Sequence, residues 1–371
     1  MILPLLFCHL AYAAAAITPA PPALDVKSYL IMDFDSGEVL AAENADEKLP
    51  PASLTKIMTV YVAAHELAAG NIRLDDKVTV SEKAWRMSGS KMFIEVNKQV
   101  TVKELLDGII IQSGNDASVA LTEHISGDES VFAQLMNQHA ARLGMKNSHF
   151  VDASGLPSVE HYSTAHDLAL LAVALIRDFP EIYKIHSQKE FTFNGILQHN
   201  RNRLLWLDST VDGVKTGHTD EAGYCLVASA KRDNMRLVTV VMGADSDKSR
   251  TSANQALLNY GFRFYETRKV HAANDVLTTA KIWKGTTDKV ELGLKEDLYL
   301  TIARGQFDNL KANYELPEKI IAPVSEGGEV GKVKFTLADK EVATRPLYAI
   351  QAVPEAGFFR QIEDSVRLFF E

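Results

Sequence analysis

Three apolar runs, Val211 to Lys215, Tyr224 to Ala230 and Leu237 to Val241, follow one another across the short polar connections His218-Thr-Asp-Glu-Ala-Gly223 and Lys231-Arg-Asp-Asn-Met235. Short connections of this kind make antiparallel neighbours. Near the other end of the chain, Ser28 to Phe34 and Glu38 to Ala42 flank Asp35-Ser36-Gly37, a turn triplet between two strand-like runs, and read as a hairpin. The segments between these two sets carry helical period. An α+β fold is therefore expected, in which the two sets complete one antiparallel five-stranded sheet and the helices pack on its faces.

The helical segments are read from spacing. From Ser53, the apolar residues Leu54, Ile57, Met58, Tyr61 and Val62 recur at three and four, which predicts a helix beginning at Ser53. Thr101 and Glu104 form a capping-box pattern that opens a second helix through Leu105, Leu106, Ile109 and Ile110. Further helices are expected over Ala117 to Ile125, Val131 to Leu143, His166 to Ile176 and roughly Ser252 to Tyr265. Composition shifts at about Lys269, and short strands broken by Gly, Asp and Pro follow, such as Val290 to Leu294 and Leu347 to Val353. They read as a small all-β domain. With 371 residues, 46% of them apolar and 23% charged, two globular domains and a terminal appendage are the natural division. The expected boundaries are 24–268 and 269–353.

The ends carry different signals. Met1 to Leu10 is apolar and runs into Ala11-Tyr12-Ala13 and three further alanines, the pattern of a secretory signal peptide over 1–13 with cleavage near 13–16. No Lys or Arg precedes the run, and a buried N-terminal segment is the alternative reading. Cys8 leaves with the signal, so Cys225 has no partner for an intramolecular disulfide and reads as a small apolar strand residue. Over 354–371, Phe358, Phe359, Ile362, Val366, Phe369 and Phe370 fall within a sector of roughly 120° on a helical wheel, with Arg360, Glu363, Asp364 and Arg367 outside it. Such a helix either docks its apolar face on its own domain or lies in a membrane interface, and the phenylalanine density favours the membrane surface. Apolar burial at ~1.5 kcal/mol or more per side chain outweighs the ~1 kcal/mol per basic residue that anionic lipid adds. The net charge of −9 gives no support for a nucleic-acid partner.

Serine is a weak nucleophile at neutral pH and needs a base within hydrogen-bond reach. Ser53-Leu-Thr-Lys56 supplies one, because residues three apart share a helix face. A Ser-x-x-Lys arises by chance about once in a chain of this length, and Ser88-Gly-Ser-Lys91 is a second, placed between turn-like residues with no helical period after it. Ser113-Gly-Asn115 offers a hydroxyl and an amide on a chain reversal. Lys215-Thr-Gly217 sits on a predicted strand, where glycine lets a substrate backbone approach. Ser252-Ala-Asn254 repeats the second pattern inside a predicted helix and reads as a decoy. His65-Glu-Leu-Ala-Ala69 lacks the second histidine of a zinc-protease helix, so neither a metal nor another cofactor is expected.

In this order, Ser-x-x-Lys, Ser-x-Asn and Lys-Thr-Gly resemble the signature set of the penicillin-recognising serine enzymes. Pro51-Ala-Ser-Leu-Thr-Lys56, Ser113-Gly-Asn-Asp-Ala-Ser118, Val211-Asp-Gly-Val-Lys-Thr-Gly-His-Thr219 and Gly261-Phe-Arg-Phe-Tyr-Glu-Thr267 are similar to the low-molecular-weight D-Ala-D-Ala carboxypeptidases of the penicillin-binding protein 5 and 6 type. The resemblance implies a β-lactamase/transpeptidase-like catalytic domain, a β-rich second domain and an amphipathic anchor on the periplasmic side of the bacterial inner membrane. It implies removal of the terminal D-alanine from peptidoglycan pentapeptide stems, which limits crosslinking, and inhibition by β-lactams.

Roles follow from the same resemblance. Ser53 would be acylated, Lys56 would be the base, Ser113 would relay a proton, and Asn115 would hold the substrate backbone. The backbone N–H groups of Ser53 and His218 would form the oxyanion hole. Thr216, beside Gly217, and Arg250 would bind the terminal carboxylate. A neutral Lys56 requires its pKa to fall about three units from ~10.4, through burial and the nearby Lys215 cation. A class A β-lactamase is disfavoured because Tyr162-Ser-Thr-Ala-His-Asp167 lacks the deacylating glutamate. A D,D-endopeptidase that cuts crosslinks uses the same chemistry and is the alternative. A non-catalytic envelope-binding protein is disfavoured by the intact motif residues.

Overall fold

The computed structural model describes residues 18–370. The expected signal peptide lies outside the described residues. The chain divides into one compact unit over Pro21–Arg263 and a second that starts at Phe264.

The first unit is built on a five-stranded antiparallel sheet in the order Val39–Glu43, Ser28–Asp33, Met235–Ala244, Gly223–Arg232, Val211–Thr219. Its two-part origin follows from the patterns above: the hairpin arrives first, the meander last, and Ser28–Asp33 pairs with Met235–Ala244 to join them. The helix Ala165–Asp178 packs on the sheet, and its Leu168, Leu171, Ala172 and Leu175 are fully buried. Cys225 is buried on the strand Gly223–Arg232, and burial pushes its thiol up to about 11, so it stays a protonated apolar filler.

Three local features differ from the sequence expectation. The helix predicted to start at Ser53 is preceded by a 3₁₀ turn over Ala52–Thr55, and regular α-helix runs over Lys56–Ala68. Two glycines explain the tight turn. A Cβ on Gly155 would sit 1.8 Å from the Ala52 carbonyl oxygen, and one on Gly217 would sit 2.9 Å from that of Pro51. The turn is wedged between them. The capping-box helix forms as expected over Val102–Asp107, but a π-helical turn over Gly108–Gln112 follows and ends on Ser113 with φ at 65°. Finally, the helix expected from Ser252 begins at Asp247. Its first turn is polar, which hid it from an apolar-period reading, and the Ser246 hydroxyl accepts the Ser249 N–H at 3.1 Å.

The second unit is β-rich. Tyr265–His271 pairs with Leu298–Ala303, and a six-stranded sheet runs Lys311–Glu315, Glu329–Leu337, Lys340–Ala349, Lys289–Gly293, Val276–Trp283, Ile320–Ile321. Its core gathers Ile282, Val290, Leu292, Val333, Phe335 and Leu347. The helix Phe358–Phe370 belongs to this unit and docks by its polar side. Asp364 is 9% exposed and accepts the Lys284 backbone N–H at 2.6 Å, Arg360 pairs with Asp288, and Lys319 Nζ donates to the Leu368 carbonyl at 3.1 Å. The apolar face is left outward, with Phe358 72%, Phe359 86% and Phe369 85% exposed. No described helix is long and apolar enough to cross a membrane.

Candidate active site

Folding brings the three motifs together where the strand Val211–Thr219 passes the 3₁₀ turn. Lys56 is fully buried, and its Nζ lies 3.0 Å from Ser53 Oγ, 2.8 Å from Asn115 Oδ1 and 2.8 Å from the Ser154 carbonyl oxygen. Burial is the largest influence on its amine and lowers the pKa to about 7. Arg201 lowers it further, while Asp152 and Asp116 oppose the fall. Lys215 and Lys56 repel one another, as expected from the sequence, and Arg201, which carries no motif of its own, is a second cation that acts on both amines.

Lys215 is itself buried and donates to the Thr216 carbonyl at 3.1 Å. Burial pushes its pKa well below the ordinary amine value, and Lys56, Arg201 and Arg250 add to the fall. Cations thus crowd this pocket, and an incoming carboxylate is the partner that relieves their repulsion. The Ser113 hydroxyl, 2% exposed, has no hydrogen-bond partner among the described residues. A buried hydroxyl without a partner is costly, which suits a group that a substrate satisfies. Asn115 is fixed by its other end: its Nδ2 donates to the Ser88 carbonyl at 2.7 Å, so Oδ1 faces Lys56.

The segment Ser88 to Lys91 therefore walls the site, although its own Ser-x-x-Lys makes no nucleophile pair. The Ser90 carbonyl accepts the Asn115 N–H at 2.7 Å, Ser90 Oγ accepts from Arg201 at 2.8 Å, and Lys91 Nζ turns away to the Trp85 carbonyl at 2.8 Å. Ser252-Ala-Asn254 lies within the helix Asp247–Phe264, where Asn254 accepts from Thr239 and donates to the Arg250 carbonyl.

Thr216 is buried beside Lys215, Gly217 faces the 3₁₀ turn that carries Ser53, and the exposed His218 has its ring 4.0 Å from that of Tyr224. Arg250 sits in the first turn of its helix and is 6% exposed. Its Nε and Nη2 donate to Asp247 Oδ1 at 3.0 and 2.6 Å, and its Nη1 donates to the carbonyls of Gly217 and Cys225 at 2.8 and 3.2 Å. Four of the five guanidinium N–H groups are thereby engaged, which makes Arg250 a clamp on the Lys-Thr-Gly strand with one N–H to spare. Arg201, whose hydrogen bond is to Ser90 Oγ, is the more exposed cation of the two. Earlier on the same strand, Asn202 Nδ2 donates to the Gly213 carbonyl and His186 Nδ1 to that of Val214, each at 2.8 Å. Burial holds His186 neutral, lowering its pKa to about 4.

Residues 15–246 match the D-alanyl-D-alanine carboxypeptidase family, and residues 265–355 match the penicillin-binding protein 5 C-terminal domain. The chain is 46% identical over 373 residues to D-alanyl-D-alanine carboxypeptidase DacC of Escherichia coli, covering 98% of this chain and 93% of that protein. It is similar to penicillin-binding protein 5 of Haemophilus influenzae, with a TM-score of 0.89, 43% identity, and coverage of 91% of this chain and 100% of that one. Penicillin-binding protein D2 of Listeria monocytogenes, in its ampicillin-bound form, matches with a TM-score of 0.61 and 30% identity over 66% of this chain and 100% of its own. This chain belongs to the D-alanyl-D-alanine carboxypeptidase family of serine hydrolases, of the penicillin-binding protein 5 type.

Proposed function

We propose that this chain removes the terminal D-alanine from peptidoglycan pentapeptide stems through an acyl-enzyme on Ser53, and that β-lactams inhibit it by forming the same bond. The observation that carries the reading is the buried Lys56 amine, with a pKa of about 7, at 3.0 Å from Ser53 Oγ. Ser53 Oγ bonds to the penultimate D-Ala carbonyl carbon and its proton passes to Lys56. Backbone N–H groups of Ser53 and His218 hold the resulting oxyanion. The C–N bond to the terminal D-Ala then breaks, and Ser113 relays the proton to its amine. Water hydrolyses the acyl-enzyme and returns Ser53. Asn115 holds the stem backbone and Lys215 supplies positive charge beside it. Thr216, Arg201 and the remaining N–H of Arg250 receive the terminal carboxylate, the contact that makes the enzyme an exopeptidase.

A stem ending in D-Ala-D-Ala and a crosslinked dimer separate this reading from an endopeptidase. Free D-alanine is expected to appear from the pentapeptide faster than crosslinks disappear from the dimer. The reverse order would overturn the carboxypeptidase assignment.

We further propose that the outward face of Phe358–Phe370 lies in the interface of the inner membrane on its periplasmic side. The exposed phenylalanines support this, since six apolar side chains in water favour lipid by ~1.5 kcal/mol or more each at full burial. Deleting residues 355–371 is expected to leave the protein in the supernatant when lipid vesicles are sedimented. Undiminished co-sedimentation would show that the tether lies elsewhere.

A further inference from the structure

The nucleophile turn and helix are bonded from behind by the segment Phe150 to His161. Thr55 Oγ1 lies 2.9 Å from His161 Nε2, and Thr59 donates to the Ala153 carbonyl at 2.7 Å. Asp152 organises the segment between these contacts. Its Oδ1 accepts the backbone N–H groups of Ser154 and Gly155 at 2.7 and 2.6 Å and the Ser154 hydroxyl at 3.1 Å, while Oδ2 lies 3.5 Å from His161 Nδ1. The turn has no slack, because Gly155 is already against the Ala52 carbonyl. Its product is one backbone carbonyl, that of Ser154, aimed at Lys56 Nζ at 2.8 Å.

That carbonyl decides where the lone pair of a neutral lysine points. A neutral amine has two N–H groups and one lone pair, whereas the Ser154 carbonyl and Asn115 Oδ1 can only accept. Both N–H groups are committed to them, so the lone pair is left facing Ser53 Oγ. Without the Ser154 carbonyl, an N–H could rotate toward the serine and the base would be misaligned.

We propose that Asp152 is a positioning residue for acylation, holding the Ser154 carbonyl on Lys56 and thereby turning the lysine lone pair toward Ser53. This rests on Lys56 being the base. The charged groups that act on Lys56 come from four elements: Asp152 from this turn, Asp116 from the helix Asn115–Ser126, Arg201 from the segment before Trp206, and Lys215 from the Lys-Thr-Gly strand. His161 faces Asp152 from the far side. Of the two carboxylates, Asp116 is tied to the N–H groups of Met92 and Phe93 at 2.9 and 3.0 Å, whereas Asp152 shapes the turn that touches the amine.

The test is the second-order rate of acylation by a fluorescent penicillin as a function of pH, for the full chain and for Asp152→Asn, Asp152→Ala and Lys56→Met. Asparagine retains an oxygen for the turn but not the charge that favours the ammonium. Its plateau is expected within about threefold of the parent, with the acid limb moved to lower pH by about one unit. Alanine releases the turn and is expected to lower the plateau about tenfold or more. Profiles of both variants that superimpose on the parent would overturn the proposal. So would a lowered plateau in Asp152→Asn with an unmoved limb, the signature of a merely structural role. If Asp152→Ala does not fold, Asp152→Glu takes its place, keeping the charge on a side chain one methylene too long for the turn: a lowered plateau with an unmoved limb is expected, and a parental profile would overturn the proposal. Should Lys56→Met acylate like the parent, the base assignment fails instead, and the two failures are told apart.

Discussion

Ser53→Ala is expected to abolish turnover of a D-Ala-D-Ala stem, by about four orders of magnitude or more, and to leave no covalent penicillin adduct. Ser53 Oγ is the hydroxyl within bonding distance of Lys56 Nζ, whose other neighbours are an amide oxygen and a backbone carbonyl, neither of them a nucleophile. Ser113 Oγ is buried in the same pocket but is not among the hydrogen-bond partners of that amine. The variant keeps Asn115, Lys215 and Thr216 in place, so reversible ligand binding is expected to persist while intact-mass spectrometry shows no added penicilloyl mass. An adduct of unchanged stoichiometry in Ser53→Ala would place the nucleophile elsewhere.

The second large effect falls on Lys56. As the proposed base, its amine must be neutral to take the serine proton, and burial lowers its pKa to about 7. Below that value the ammonium form dominates and has no lone pair. Acylation is therefore expected to rise as pH rises through about 7 and to level off above it. Lys56→Met keeps a chain of similar length and removes the amine, and a loss of about 10²- to 10⁴-fold is expected across the whole range. A rapid-mixing profile that climbs only near the ordinary lysine value would show that burial does not neutralise this amine. Residual fast acylation in Lys56→Met would point to another base.

What the sequence made legible is what depends on neighbours along the chain. The five strands, the capping box at Thr101 and Glu104 and the apolar face of the terminal helix all follow from local period or turn chemistry, and all three form. The Ser53 to Lys56 pair was legible for the same reason, since three residues on one turn meet whatever surrounds them. What escaped is set by approach through space. Ser88 and Ser90 looked like part of a stray motif, yet their carbonyls fix Asn115 across 27 and 25 residues of chain. Arg201 sits in a polar stretch with no signature of its own. Arg250 was visible as a charge, but its four bonds to Asp247, Gly217 and Cys225 come from three different places in the fold. The 3₁₀ turn under Ser53 depends on Gly155 and Gly217, neither of them near it in sequence.

Among the described residues, the strand Val211–Thr219 is the last in its sheet, with Gly223–Arg232 on one side and no strand on the other. An open edge of nine residues is ordinarily an invitation to aggregate, because unpaired backbone groups recruit any extended chain that passes. Here the stretch before the motif is occupied by side chains: Asn202 takes the Gly213 carbonyl and His186 takes that of Val214. The open edge is thereby shortened to the few residues after Val214, where the Thr216 and Gly217 carbonyls already accept from Lys215 and Arg250. A stretch that short accommodates the tip of a small peptide but gives a second sheet too little to hold. The side chains that support the site thus also cover part of this edge, and loosening Asn202 or His186 is expected to lengthen what is left open to another chain.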